Sequence, residues 1–487
     1  MTLLTNYRSL RACVQAGAVV FLTALLAGCA GLAAPPRSVA LEMPPQWFAP
    51  LPHQGSLMSL ADWWRQQGDP LLVELIEAAQ TVSPTVVTAK ASIDQARAAR
   101  TQAAAAMLPS LDATGSASRS RQQPMGGFAA APSNQAQAGL QASWEIDLFG
   151  RNDASRNAAQ ERLDGAQAKW HEARVSVAAE VARQYYSSRS CERRVEVSDS
   201  DARSRAETAR LTAMASKAGF QAPATAALAR ASAAESKARA TQQRALCDLD
   251  IKALVALTAR SEPALRLQLA QADSPSLALE PGPASVASVP AQVLAQRPDV
   301  YSAAREVAAA SFEVASADAM RYPRLSLGGN ITAGRVRIAG VSQGFDTWSI
   351  GPLAFSLPLF DGGRSRASLD SAKARYDDAA GKYRGVARQA VREVEEALVN
   401  LQSTADRASD TDVAVEGYRA SFAGTEARYK VGLASLVELE ESRRTLLAAQ
   451  GALLSLQLER RNAWIALYRA LGGGWQLDAS AELAQQK

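Results

Sequence analysis

Residues 136–149, AQAGLQASWEIDLF, run into Gly150-Arg151, and the chain changes character there. Before the glycine, small, polar and aromatic residues alternate roughly, as they do in a strand. From Asp153 a helical pattern continues for roughly 65 residues, about 100 Å at 1.5 Å per residue. Val175, Ala178, Ala182 and Tyr185 form one stripe of that helix, spaced three, four and three apart. Lys217-Ala218-Gly219-Phe220 closes it. Compact globular domains do not use helices of that length. The junction therefore predicts short strands feeding very long helices with coiled-coil-like packing.

Working outward, a helical pattern from about Leu71 to Met107 is stopped by Pro109. Residues 109–121, PSLDATGSASRSR, read as a first strand, joined to 136–149 through a Gly/Pro/Asn-rich loop. The same order recurs downstream. Pro84-Thr85-Val86 returns as Pro298-Asp299-Val300, and Pro109-Ser110-Leu111 as Pro323-Arg324-Leu325, each 214 residues on. Gly150-Arg151 returns as Gly363-Arg364, and Lys217-Ala218-Gly219-Phe220 as Lys430-Val431-Gly432-Leu433, each 213 residues on. Steady offsets of this size mean tandem duplication of one large unit rather than a short-period solenoid. Each unit reads helix, strand, strand, long helix, glycine tip, return helix. In the second, Val391, Val394, Leu398 and Leu401 repeat the three-four-three stripe, and Leu439, Leu446 and Leu453 fall at intervals of seven. Gly472-Gly473-Gly474 stops the last helix. The expected layout is a signal peptide (1–28), an N-terminal tether (29–61), a first repeat (62–259) with strands at about 109–121 and 136–149, a linker (260–296), a second repeat (297–472) with strands at about 324–337 and 346–360, and a tail (473–487).

The 487 residues are 47% apolar and 21% charged, so the chain is not disordered, and the 6% aromatic content suits alanine-rich helices better than a β-sandwich. Lys and Arg outnumber Asp and Glu by 53 to 48, a net +5 with the signs interspersed, which leaves no nucleic-acid footprint. The only histidines, His53 and His171, are isolated and cannot make a multi-histidine metal site. There is no Ser-His-Asp order, zinc spacing, P-loop or dinucleotide fingerprint. The reading is a protein that is no enzyme and holds neither metal nor cofactor, so energy must come from a partner. No mature segment has about 18 uninterrupted apolar residues, so any membrane crossing requires a closed β-barrel.

Arg8 and Arg11 precede an apolar run from Ala16 to Leu26, the pattern of a secretory signal peptide. Leu26-Ala27-Gly28-Cys29 resembles the lipobox of bacterial lipoproteins, with Cys29 as the acylated N-terminus, the sole covalent addition expected. Ala30, where an inner-membrane lipoprotein would carry Asp, favours the outer membrane. The Pro-rich stretch after it reads as an extended tether. Of the remaining cysteines, Cys13 leaves with the signal. Cys191 lies 28 residues before Gly219 and Cys247 lies 28 after it, side by side in an antiparallel hairpin. A disulfide there is geometrically sensible, and two buried thiols are the alternative.

With the duplication, Gln296-Arg297-Pro298-Asp299-Val300, Arg321-Tyr322-Pro323 and Tyr429-Lys430-Val431-Gly432-Leu433, the chain resembles the TolC-like outer membrane efflux proteins, within them the NodT-type lipoproteins. The resemblance covers the whole mature chain. It implies a mainly helical fold with a membrane β-barrel: a homotrimer, four strands per protomer in a shared twelve-stranded barrel, and a long α-helical barrel across the periplasm. It implies a passive conduit in the outer membrane, exporting drugs and toxic small molecules handed on by a periplasmic adaptor and an inner-membrane pump. Trp144, Phe149, Trp348, Phe355 and Phe360 become candidates for aromatic girdles in outer membrane lipid. The tips that meet the adaptor correspond to Lys217, Gly219 and Phe220, and to Lys430, Gly432, Leu433, Ala434 and Ser435. Inward carboxylates of the pore mouth correspond to Glu438 and Glu441, where well-known members carry aspartates, and Ala434 stands where TolC has a basic latch. The alternative for those glutamates is a solvated helix face shared with Glu440, Arg443 and Arg444. A type I protein-secretion duct shares every feature. A periplasmic adaptor lipoprotein would have a single hairpin instead of two.

Overall fold

The computed structural model describes residues 34–41, 47–48, 63–66, 68–121, 131–272, 294 and 296–475. Cys29 and His53, the signal peptide, most of the tether and the end of the tail lie outside them. In chain order the elements are α1 (Trp63–Gln66), α2 (Pro70–Val82), α3 (Pro84–Ala105), β1 (Ser110–Ser120), β2 (Ser133–Ile146), α4 (Arg151–Lys217), α5 (Pro223–Thr258), α6 (Glu262–Gln271), α7 (Pro298–Ala319), β3 (Arg324–Ile338), β4 (Val341–Ser356), α8 (Arg364–Asp406), α9 (Ala408–Lys430) and α10 (Leu436–Ala470). Among the described residues no helix is long and apolar enough to cross a membrane.

Local chemistry moves several boundaries. The single run expected over Leu71–Met107 is two helices, because Ser83 is extended and Pro84 starts α3 at a position that needs no N–H. Asp69 caps α2, its carboxylate accepting the Leu72 N–H at 3.2 Å. β2 begins at Ser133, earlier than the expected 136, since its polar first residues still pair, Ser120 with Ser133. The fourth strand was expected at 346–360 and lies at Val341–Ser356. Ala339 and Gly340 both take positive φ, making a two-residue turn that starts β4 early, and Pro358 offers no N–H to prolong it.

The chain divides into two compact units. The first gathers the described residues up to Val39 with Ala98–Glu161 and Val307–Ala379. Its four strands form one antiparallel sheet in the order β1-β2-β3-β4. Val314, Ala317, Leu369 and Ala372 pack α7 against α8 beside it. The expected tether is fastened here: the Pro35 carbonyl accepts the Ser311 hydroxyl at 2.6 Å, the Pro36 carbonyl accepts that of Tyr376 at 2.8 Å, and Arg37 lies over the Phe312 ring.

The second unit, Ala40–Arg97, Arg162–Glu306 and Ala380–Lys487, holds the main core. Both predicted stripes are in it: Ala178, Ala182 and Tyr185 from α4, and Val394, Leu398 and Leu401 from α8, packed on Leu72, Leu75, Leu254 and Ile465. Trp63 stacks on Tyr468, with Trp64 edge-on to both. Hydrogen bonds between distant elements satisfy part of the buried polar set. The Tyr185 hydroxyl donates to Asp69 at 2.7 Å, and Arg189 donates to Tyr185 Oη and to the Leu269 carbonyl. Arg297 of the Gln-Arg-Pro-Asp-Val segment is buried. It donates to the Ala470 carbonyl at 2.9 Å and pairs with Asp299 and Glu393, tying the start of the second repeat to the end of α10. At Gly472 a Cβ would stand 2.3 Å from the Gln296 carbonyl oxygen, so this glycine serves close packing as well as stopping the helix.

Candidate functional site

From its helix end through its middle rows, the strand register sorts the sheet into two chemically distinct faces. Residues paired across strands share a face. On one face lie the rows Ile146–Leu325–Phe355, Trp144–Leu327–Leu353, Ala142–Gly329–Ile350 and Leu140–Ile331–Trp348. On the other lie Gln141–Asn330–Ser349 and Gly139–Thr332–Thr347, with Asp112 and Thr114 continuing them on β1. Along β4 the apolar residues change parity, from Trp348 and Ile350 to Leu353 and Phe355. A β-bulge at that point, between Leu327 and Gly329 of the partner strand, restores them to one face. These four side chains are exposed by 74%, 83%, 60% and 60%, a large apolar surface for one sheet to show. Phe355 and Trp348 stand roughly 20 Å apart along the strand at about 3.3 Å per residue, near the height of a barrel's apolar band. Trp144 also donates its indole N–H to the Met107 carbonyl at 3.0 Å. Phe149 stacks on Tyr322 outside the strands, and Phe360 is exposed beyond β4.

The two hairpin tips are built alike. Gly219 (φ 82°) and Gly432 (φ 79°) take the left-handed conformation that ends a helix. The next residue donates back five positions at 2.8 Å in each case, Phe220 N–H to the Ala215 carbonyl and Leu433 N–H to the Arg428 carbonyl. Phe220 and Leu433 are left 84% and 70% exposed. Lys217 is exposed, and Lys430 pairs with Glu426 at 3.1 Å. Ser435 caps α10 in a reciprocal box: its hydroxyl accepts the Glu438 N–H at 3.2 Å, and the Glu438 carboxylate accepts the Ser435 N–H at 2.6 Å. Hydrogen bonds from the Ser435 backbone and side chain hold the Glu438 carboxyl below the usual glutamate range. Glu441 is exposed and paired with Arg444.

Glu440 and Arg443 do not belong to a solvated face. Arg443 is 3% exposed, and its guanidinium donates to Glu440 at 2.7 Å and to the Ser204 hydroxyl at 3.0 Å, and lies over the Phe422 ring. Glu440 also pairs with Arg205 and accepts the Ser232 hydroxyl at 2.8 Å. Arg205 holds Asp201 by its Nε at 2.9 and 3.0 Å. Burial pulls the Arg443 pKa down, opposed by Glu440. This cluster joins α4, α5 and α10. Sequence reasoning missed it because Asp201/Arg205 and Glu440/Arg443 have the spacing of ordinary surface ion pairs along a helix. The burial arises between helices. Cys191 and Cys247 are joined by a disulfide with Cα atoms 5.5 Å apart, between α4 and α5.

The chain matches the outer membrane efflux protein family over residues 75–260 and 289–473, once for each repeat, and it belongs to that family. It is 30% identical over 465 residues to the pyoverdine export outer membrane protein OpmQ of Pseudomonas aeruginosa, covering 93% of this chain and 96% of that one. Nodulation protein T of Rhizobium leguminosarum bv. trifolii is 28% identical over 471 residues, with 95% and 98% covered. The solved outer-membrane channel OprN superposes with a TM-score of 0.78 at 27% identity over 92% of this chain and all of that one. The Campylobacter jejuni CmeC channel shares the fold, with a TM-score of 0.80 at 22% identity over 92% and 98%. The protein is an outer-membrane channel of an efflux pump, extends into the periplasm, and is a transporter component with no enzymatic role. Its fold is the TolC-like one, mainly helical with four antiparallel strands per chain.

Proposed function

We propose that three copies join their sheets, β4 of one beside β1 of the next, into a closed twelve-stranded barrel that serves as a passive exit for small molecules. The observation that carries this is the two-faced sheet with unpaired strands at both edges. Lipid does not tolerate open edges, and three sets of four strands remove them. The apolar face meets lipid and the polar face lines the bore. Acyl chains on Cys29 and the fastened tether add an anchor. The exposed Phe220 and Leu433, with Lys217, Gly219, Lys430, Gly432, Ala434 and Ser435, form the surface offered to a periplasmic adaptor, which links the channel to an inner-membrane pump. Glu438 and Glu441 line the mouth, and threefold repetition makes each a ring of charge that favours cations. The cargo is small organic molecules of the kind named for relatives: pyoverdine, toluene and other solvents, antibiotics.

Electron microscopy of the detergent-purified mature protein tests the assembly. The reading requires threefold particles with a helical stalk of roughly 100 Å. A compact monomer refutes it. In a planar bilayer, the double variant Glu438→Gln/Glu441→Gln is expected to lose cation selectivity, and unchanged selectivity removes these residues from the mouth.

A further inference from the structure

The apolar face of the sheet has a second feature at one end. Beyond the Leu140–Ile331–Trp348 row come Ala138–Ala333–Asp346, then Ala136–Arg335–Gly344, then Asn134–Arg337–Ser342, with Arg119 of β1 opposite Asn134. Arg119, Arg335 and Arg337 therefore share the face of Trp348 and Ile350, in the rows nearest the β-hairpin turns. All three are exposed. Arg119 and Arg337 are two strands apart, about 10 Å, and Arg335 and Arg337 are about 7 Å apart along β3.

The distribution of charge is one-sided. The other strand charges, Asp112, Glu145 and Arg324, lie on the polar face near the strand ends that lead into helices. At those ends the apolar face carries Leu111, Ile146, Leu325 and Phe355 and no charge. At the hairpin end that face carries three arginines against one carboxylate, Asp346, and none of the three has an ion pair among the described residues. Helices enter and leave the sheet at one end, so the hairpin end is the one toward the outer leaflet. A cation on a lipid-facing strand is tolerated only near the interface, and an arginine fork matches phosphate oxygens two at a time.

We propose that Arg119, Arg335 and Arg337 form a binding surface for the phosphorylated headgroups of the outer-leaflet lipid, lipopolysaccharide in a Gram-negative outer membrane. The proposal rests on the lipid-facing reading of the sheet. The patch sets the barrel's height in the bilayer: Trp348 and Ile350 stay in the acyl layer while the arginines engage phosphate above it. In a closed trimer it repeats three times around the rim. Asp346, one row nearer the acyl layer on β4, is the single opposing charge on this face.

The test is equilibrium binding of fluorescent diphosphoryl lipid A to the full-length detergent-purified protein. The Arg119→Gln/Arg335→Gln/Arg337→Gln variant is expected to bind at least tenfold more weakly. Arg324→Gln should bind like the wild type. Lipid A stripped of both phosphates should compete as poorly as the triple variant binds, and millimolar inorganic phosphate should not compete. Equal binding by the triple variant, or equal competition by the stripped lipid, overturns the proposal. Effective competition by inorganic phosphate reduces the patch to a simple anion site and overturns it too. If the triple variant does not assemble, Arg337→Gln and the wild-type protein's discrimination between the two lipids decide the matter. Quenching of tryptophan fluorescence by brominated phospholipid separates the two levels. Quenching that diminishes in Trp348→Phe establishes the lipid face, so a failure of lipid A binding then counts against the arginine patch alone. Absence of that difference counts against the lipid-facing reading itself.

Discussion

The first and second long hairpins descend from one duplicated unit, yet they are held by different means. Their tips share a glycine in the left-handed conformation and the same hydrogen bond back five residues. Past the tip they diverge. The first return helix starts at Pro223 with no side-chain cap, and its hairpin is stapled by Cys191–Cys247. The second starts at a full Ser435/Glu438 capping box. Its Glu440 and Arg443 reach across to Asp201 and Arg205 of the first hairpin. Duplication kept the part for which backbone geometry allows few solutions, the reversal. It left free the parts for which several chemistries serve, a covalent staple within the first hairpin, and in the second a capping box and charges that reach across to the first.

The strongest way to break this comparison is Arg205→Leu. It leaves Asp201 and Glu440 to share Arg443 as their one buried counter-charge, and thermal unfolding should register a loss of about 3 kcal/mol. Adding Glu440→Leu should recover part of it. A loss under about 1 kcal/mol would make the cluster an ordinary surface pair. Next comes Cys191→Ala/Cys247→Ala. The bridge spans 56 residues, and loop-closure entropy for a loop of that order puts the cost near 4 kcal/mol, less where denatured-state structure intervenes. Hydrogen exchange should show faster opening in α4 and α5 and little change in α9 and α10. Equal loss in both hairpins would mean that the staple is not local.

Gly219→Ala and Gly432→Ala sharpen the shared part. Each should cost about 1–2 kcal/mol, the penalty of a Cβ in the left-handed region. A clear inequality between the two would show that the tips are not equivalent. The smallest effect is at the cap. Ser435→Ala should cost about 1 kcal/mol by the same unfolding measurement. The paired pH experiment has a definite sign. The folded Glu438 carboxyl titrates below its ordinary value of 4.5, so its contribution is fully present above that value and lost as pH falls through the lower folded pKa. Glu438→Gln should flatten this acid dependence, and an unchanged profile would assign it to other carboxylates.

Much of the fold was legible because its signals are local or periodic. The stripe through Ala178, Ala182 and Tyr185, the repeat offsets and the tip glycines each need only a few neighbouring residues to be read. The strands were harder. β4 was misplaced because an Ala-Gly turn is a weak signal, and its apolar parity changes at a bulge that only the register with β3 discloses. The disulfide could be anticipated from equal distances to Gly219, since an antiparallel hairpin converts sequence distance into proximity. The Arg205–Glu440 contact could not. It joins residues 235 apart, and each half looks like a solvated pair along its own helix.

By itself, then, the sequence determined the duplicated order of elements, the long helices and where they reverse, because helical periodicity and left-handed glycine are properties of short stretches. The tertiary structure alone decided which charges are buried, which face of the sheet is apolar from its helix end to the Leu140–Ile331–Trp348 row, and where three arginines gather beyond that row. Those depend on strand register and on helices meeting across more than two hundred residues, and no local pattern carries that information.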